Sequence, residues 1–344
     1  SSIEYISRPK MTPAYRRDLC NLLLLASSFL ALRNLNFSKL YHAVRAQSFM
    51  KLYVLYNMLA LFARLFYSLG EDLLDALYGC CTEKNVSWVK FIMTLLVNML
   101  YMCLHSYFIC LQIVTLNISV NSNDKTLLVI LISSQFVELK SMCFKKFGHK
   151  NLFQLACSDV VERFELLVFM VILIIQNTSA IGIGTPAALE WLTRAFHVGL
   201  LLFSSECLVD WLKHGFIIKF NMIDPTIYKV YRLILCGDVV KEARPSTAIP
   251  SLRTTLRRFG FIPIPLAAVI MRVVSDAMAP LSLGVKISVI AVSLLNLAAL
   301  KLLLRIYVLG HAANQVFSSD SSLTLQPKKY RMNAQQQQQQ QQQQ

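Results

Sequence analysis

Apolar and charged positions segregate along this chain into long runs and short clusters. Phe91 to Asn123 contains no Asp, Glu, Lys or Arg, well beyond the roughly 18 to 20 residues a helix needs to cross a bilayer. Leu166 to Leu189 is equally free of these four residue types and closes on Gly182, Gly184 and Pro186, which signal a turn. Trp191 to Trp211 follows directly, interrupted by Arg194, Glu206 and Asp210, so the two runs read as a helical hairpin with a short link. A second hairpin is read from Phe259 to Met278, a turn at Ala279 to Ser282, and Val285 to Leu309, whose Lys286, Lys301 and Arg305 snorkel from near the ends. At the front, Leu19 to Leu32 with its Asn34 to Asn36 flank makes a short span. Phe49 to Leu69 carries Lys51 and Arg64, and Thr126 to Phe147 ends in Lys140, Lys145 and Lys146; both read as helices lying in the interface or against the bundle.

The pattern thus predicts an all-α polytopic bundle of about six spans, near 19–36, 91–116, 166–186, 191–211, 259–279 and 285–309, with interfacial amphipathic helices between them. Residues 1–18 form a basic N-terminal segment, 19–310 the transmembrane domain, and 311–344 a disordered tail with the Gln run from Gln335. Composition agrees: 55% of the 344 residues are apolar and only 15% charged, against about 25% in ordinary globular chains, and mean hydropathy is +0.50. In a soluble protein the net charge of +15 would suggest nucleic acid; here it reads as basic loops that orient the spans and lie on anionic lipid, with no nucleic-acid partner. The link between the Phe91 and Leu166 runs, the link from Lys213 to Arg258, and Lys328, Lys329 and Arg331 carry the loop charge, whereas the hairpin turns are nearly bare. The positive-inside rule puts those links in the cytoplasm, and Arg8, Lys10, Arg16 and Arg17 place the N-terminus there too. Residues 39–90 fit least well, because this scheme puts six basic residues outside. Ser1 in place of an initiator Met reads as a processed or partial chain.

Motif chemistry is sparse. No P-loop, G-x-G-x-x-G, H-E-x-x-H or G-x-S-x-G pattern is present, so the expectation is a non-enzyme without catalytic residues, cofactor or metal. The nine cysteines show no disulfide or zinc spacing and read as buried filler. Asn36, Asn85, Asn117 and Asn177 match the glycan acceptor pattern, most of them by chance. The most informative polar cluster is Glu206, Asp210, Lys213 and His214: spacings of four put Glu206, Asp210 and His214 on one helix face, with Lys213 beside them. It reads as a path for ions or protons, as a polar lock between helices, or as an interfacial pair where the helix leaves the membrane. Arg272 and Asp276 form a second i,i+4 pair, read as charge pairing that lowers the cost of burial.

Several segments resemble the TAPT family, named for transmembrane anterior posterior transformation protein. They are Tyr41-His42-x-x-Arg45-x-Gln47-Ser48-x-x-Lys51-Leu52-Tyr53-x-x-Tyr56-Asn57-Met58-Leu59, Asp72-x-Leu74-Asp75-Ala76-Leu77, Phe136-Val137-Glu138-x-Lys140, Phe144-Lys145-Lys146-Phe147, Asn151-Leu152-Phe153-Gln154 and Glu162-Arg163-Phe164. The cluster from Glu206 to Asn221 and Gly260-Phe261-Ile262-Pro263 sit on the same pattern, and the resemblance runs in order from about Tyr41 to Gly310. Hydrophobic segments usual in that family before the Leu19 run are missing here. The resemblance implies a multi-pass endoplasmic-reticulum membrane protein without known catalytic residues. It further implies a SUN-domain membrane glycoprotein or an ER chaperone as partner, and links to cilium formation, the ciliary base and developmental patterning. The function expected is a scaffold or adaptor subunit of a folding or quality-control complex. The alternative is an ion or small-solute transporter using the Glu206, Asp210 and His214 face; transport calls for ionisable residues from more than one helix. A lipid-modifying enzyme is a third class, resting only on polar residues near the membrane surface.

Overall fold

A computed structural model describes residues 13–47, 49–83, 86–121, 126–143, 145–182, 184–243 and 258–325. Arg8, Lys10, Asn85, Lys328, Lys329, Arg331 and the Gln run lie outside the described residues, as does much of the basic link before Arg258. Ten helices are described: α1 Pro13–Arg33, α2 Phe37–Arg45, α3 Phe49–Thr82, α4 Trp88–Asn121, α5 Thr126–Cys143, α6 His149–Ile181, α7 Pro186–Asn221, α8 Ile227–Glu242, α9 Pro263–Ala277 and α10 Leu283–Leu325. The all-α reading holds.

Five helices, in α3, α4, α6, α7 and α10, are long and apolar enough to cross a membrane, and α1 with α2 makes a sixth if that pair, bent by 64°, counts as one span. The number matches the sequence reading, but the membership does not. Phe49–Thr82 is a continuous 34-residue helix rather than an interfacial one, because Lys51 sits at its start and a single Arg64 interrupts the apolar run. The expected span at 259–279 shrinks to the 15 residues of α9, too short to cross at 1.5 Å per residue. Its apolar character reflects burial in protein: Pro265, Leu266, Ala268, Val269 and Val273 are all buried. At the far end α10 continues past residue 310 to Leu325, into the segment read as a disordered tail.

Two compact units divide the chain. The first comprises residues 1–223 and 256–282, the second 224–255 and 283–344; the division falls between the two helices of the second expected hairpin. In the second unit α8 packs against α10. Asp224, ahead of α8, accepts the Thr226 backbone N–H at 2.8 Å, which holds its carboxyl below the ordinary range.

In the first unit, contacts fix the direction of each helix. Cys20 meets Cys81 (Sγ to Sγ 3.8 Å) and Tyr78 donates to Asn21 (2.7 Å), so the first half of α1 lies beside the end of α3. Asn98 donates to the Leu73 carbonyl (3.1 Å) and Gln112 to that of Leu59 (3.5 Å), so α4 reverses α3. Gln135 of α5 meets Ser205 of α7, and the Phe147 N–H reaches Asn221 at the end of α7 (2.9 Å). Helix α5 therefore runs back across the bundle alongside α7, 18 residues or about 27 Å long, rather than lying in the interface. The link between α4 and α6 thus traverses the unit instead of staying on one face. One end of the unit then carries Arg16, Arg17, Lys145, Lys146, Lys150 and Lys219 together with Lys90, which the loop-charge reading had put on the opposite side, and the other end carries the 182–185 turn. Because α3 carries the chain back, Lys90 joins the basic end, while Lys39, Arg45 and Lys51 stay toward the end of the 182–185 turn, where Val44 and Leu52 pack on Val114 and Ile118.

The expected first hairpin forms, with both arms longer than read. Gly182 (φ 103°) and Gly184 (φ 84°) make the reversal in a region L side chains avoid. Thr185 then caps α7 by accepting the Ala188 N–H at 3.2 Å, and Pro186 occupies the first turn, where a missing N–H is harmless.

Candidate functional site

Helix α6 begins at His149, 17 positions ahead of the Leu166 run, so Asp159 and Arg163 lie inside it, one turn apart. Helix α7 runs antiparallel beside it and presents Asp210, Lys213 and His214. Lys213 Nζ lies 2.8 Å from Asp159 Oδ1 and 2.9 Å from Asp210 Oδ1. His214 Nε2 lies 2.7 Å from Asp159 Oδ2, and Arg163 pairs with Asp210. The Lys213, Asp159 and Asp210 side chains are 3%, 2% and 5% exposed, so these three charges are removed from solvent and meet one another, with Arg163 and His214 joining from partly exposed positions. Two carboxylates against Lys213 and Arg163 make a closed, balanced set. That is a lock between α6 and α7, because moving a proton or ion along it would leave a buried charge alone.

Glu206 does not join this set. It accepts from Gln135 of α5, so the predicted face divides: Asp210, Lys213 and His214 meet α6, and Glu206 meets α5. Asp159 was missed by the sequence reading, and Arg163 was read as loop charge and as part of a family motif, not as a site residue. The available signal was the Asp159/Arg163 spacing of four, complementary in reversed order to Asp210 and Lys213, but it was hidden by starting the helix at Leu166.

Glu206 instead lines a half-open cavity of about 570 Å³ bordered by α3, α4, α5, α6, α7 and the segment before α9. Its ionisable wall residues are Glu71, Glu162, Glu165, Glu206, Arg64 and Arg258. Arg64 and Glu162 are 3.5 Å apart, Tyr67 donates to Glu165, and Arg258 stands over the Phe153 ring at 6.0 Å. Three helices, α3, α6 and α7, therefore contribute ionisable groups to one chamber.

The other sequence-read pair meets, but with Asp276 about half exposed. Arg272 pairs with Asp276, donates from Nε to the Leu32 carbonyl (3.3 Å) and covers the Phe37 ring at 5.6 Å, joining α9 to the α1–α2 bend. The acceptor-pattern residue Asn117 is buried at 7% exposure. It accepts from Asn177 at 3.0 Å within a network that Trp191 extends by donating to Asn121 (2.7 Å). Asn117 and Asn177 thus knit α4 to α6 and are not glycan acceptors. Asn36 caps α2 by accepting the Lys39 N–H.

A family model described as a eukaryotic membrane protein family, DUF747, matches residues 11–317. The chain belongs to this family. Among its curated relatives, Protein TAPT1 homolog of Caenorhabditis elegans is 38% identical over 89% of this chain and 43% of its own length. Endoplasmic reticulum membrane protein 65 of Schizosaccharomyces pombe is 38% identical over 74% of this chain and 41% of its own. Transmembrane anterior posterior transformation protein 1 homolog of Homo sapiens is 35% identical over 90% and 54%. The chain spans about half the length of these relatives. No solved structure matches it. The resemblance read from the sequence is thereby established, and the chain is a multi-pass protein of the endoplasmic-reticulum membrane.

Proposed function

We propose that the chain acts without catalysis as a membrane-embedded scaffold or adaptor in a protein-folding or quality-control assembly of the endoplasmic reticulum, which would also underlie the family links to cilium formation and patterning. Helix α10 carries this reading: its span-length stretch Leu283–Ser318 has the highest mean hydropathy of the candidate spans, 2.2, and within its own unit none of its most apolar window is buried. Without a hydrophobic drive between helices in lipid, such a surface associates through packing and polar contacts with a partner's span. The locked α6–α7 pair would supply a rigid frame. The partner by family resemblance is a SUN-domain membrane glycoprotein or an ER chaperone. Affinity purification of the tagged chain from membranes is expected to recover one such partner in near-equal amount. A chain that purifies alone overturns the reading.

A second reading, solute transport, is favoured by the chamber and its ionisable groups from three helices, the feature transport requires. Because Asp210 belongs to the closed lock, Glu206 is the residue to test. In proteoliposomes, flux of a carried ion or solute is expected to fall at least tenfold in Glu206→Gln. Absence of flux in the unsubstituted protein rejects transport.

A further inference from the structure

Toward the basic end of the first unit, two thiols face each other across helices. Cys20, in the first half of α1, and Cys81, one residue from the end of α3, have their Sγ atoms 3.8 Å apart. They are 3% and 1% exposed. Their register is held from two sides. Tyr78, one turn before Cys81, donates to Asn21, the residue after Cys20, and Leu24, Leu77, Tyr101, Met102 and Ile262 form one buried cluster with the pair. Cys80 is buried too, but as the chain neighbour of Cys81 it sits about 100° round α3.

Two features separate this pair from cysteines that fill space. The sulfurs of a disulfide lie about 2.05 Å apart, so these thiols need to close by only about 1.8 Å, and the contact joins residues 61 positions apart, which chain connectivity alone does not bring together. Cys81 also stands at a helix end, and helix ends open locally at little cost. Such opening admits a small neutral oxidant while a bulky reagent stays out. Arg16 and Arg17 lie one turn ahead of Cys20, so the pair belongs to the end that loop charge places in the cytoplasm. There the glutathione pool keeps thiols reduced, and the dithiol is the resting form.

We propose that Cys20 and Cys81 are an oxidative modification site: a hydroperoxide converts them to a reversible disulfide that staples the start of α1 to the end of α3. One thiol sulfur first attacks the peroxide; an S–O bond forms, the O–O bond breaks, and a sulfenic acid and water result. The second thiol then attacks the sulfenic sulfur. Its S–S bond forms as the S–O bond breaks, and the hydroxyl leaves with the remaining thiol proton as a second water. Two thiols and one hydrogen peroxide thus give one disulfide and two waters, with both sulfurs oxidised and both peroxide oxygens reduced. Exchange with cytoplasmic thiols restores the pair. The staple forms or fails whether or not the chain holds a partner or carries a solute.

The test uses the full chain in phosphatidylcholine nanodiscs, reduced, freed of reductant and exposed to hydrogen peroxide. Free thiols are then blocked with N-ethylmaleimide in denaturant before tryptic digestion and mass spectrometry. The expected product is the peptide of residues 18–33 joined to that of residues 65–84, two hydrogens lighter than their sum and split by dithiothreitol. It should rise at least tenfold over the peroxide-free control, with fragment ions placing the bond on Cys81. Cys80→Ser should keep the link, and Cys20→Ser and Cys81→Ser should abolish it, with size-exclusion profiles checking the fold of each. The bond in the unsubstituted chain decides the matter even where a variant does not fold. Absence of the linked peptide, a bond on Cys80, or a linked species that runs as a dimer on a non-reducing gel overturns the proposal. So does oxidation of Cys20 or Cys81 to sulfinic acid without a link.

Discussion

Replacing Lys213 by Met is expected to destabilise the bundle by about 3–5 kcal/mol, the usual consequence of removing one partner from a buried ion pair. Lys213 holds two carboxylates at once, Asp159 at 2.8 Å and Asp210 at 2.9 Å. Its loss leaves Arg163 and His214 to neutralise both from partly exposed positions, 27% and 18%. Unfolding is readily followed in detergent with a thiol-reactive dye, because Cys20, Cys81, Cys110 and Cys157 are free and buried and react only when the helices separate. Removing the set together, with Asp159→Leu, Asp210→Leu and Lys213→Met, should cost much less than Lys213→Met alone, since no charge is stranded. A single-variant loss below about 1 kcal/mol would show that Lys213 reaches water, as exposed pairs contribute no more than that, and would reject the lock.

Gly70→Ala is expected to destabilise by about 1–3 kcal/mol, although alanine is the better helix former by about 1 kcal/mol at an open position. A methyl group at this point of α3 collides with the Tyr101 hydroxyl and the Ile262 side chain. Tyr101 has little room to yield, being 4% exposed and bound to the Phe66 carbonyl at 2.7 Å and His105 Nδ1 at 2.9 Å. Gly79, on the same helix, meets nothing within 4 Å, so Gly79→Ala should stabilise slightly. Opposite signs for the two substitutions in the same thiol-reactivity assay would establish the close approach of α3 and α4. Equal stabilisation would disprove it.

Sequence reading located the site only in part, and its errors share one cause. Starting α6 at Leu166 left Asp159 and Arg163 in a loop, because the polar first half of that helix lowers its hydropathy although it is helical from His149. Lys51 and Arg64 argued against α3 as a span, yet Arg64 meets Glu162 of α6, and a charge with a partner does not cost what a lone one costs. Conversely α9 looked like a span because a segment buried in protein and one buried in lipid have the same apolar composition. The spacing of Asp210 with Lys213 and of Arg272 with Asp276 was legible because both pairs lie within one turn of one helix.

Composition and apolar run length by themselves determined that this is an all-helical membrane protein, and turn chemistry at Gly182, Gly184 and Pro186 determined one of its hairpins. Ordered motifs from Tyr41 to Gly310 determined the family. Only the tertiary structure decided that α5 crosses the unit, that buried Asn117 and half-buried Asn177 join one network, and that Glu206 faces a chamber while its neighbour Asp210 is locked. Hydropathy measures the transfer of a segment on its own, whereas a polar side chain is stabilised by the group it meets. For Lys213 that group is Asp159, 54 residues away, and the two meet only once α6 and α7 pack in register.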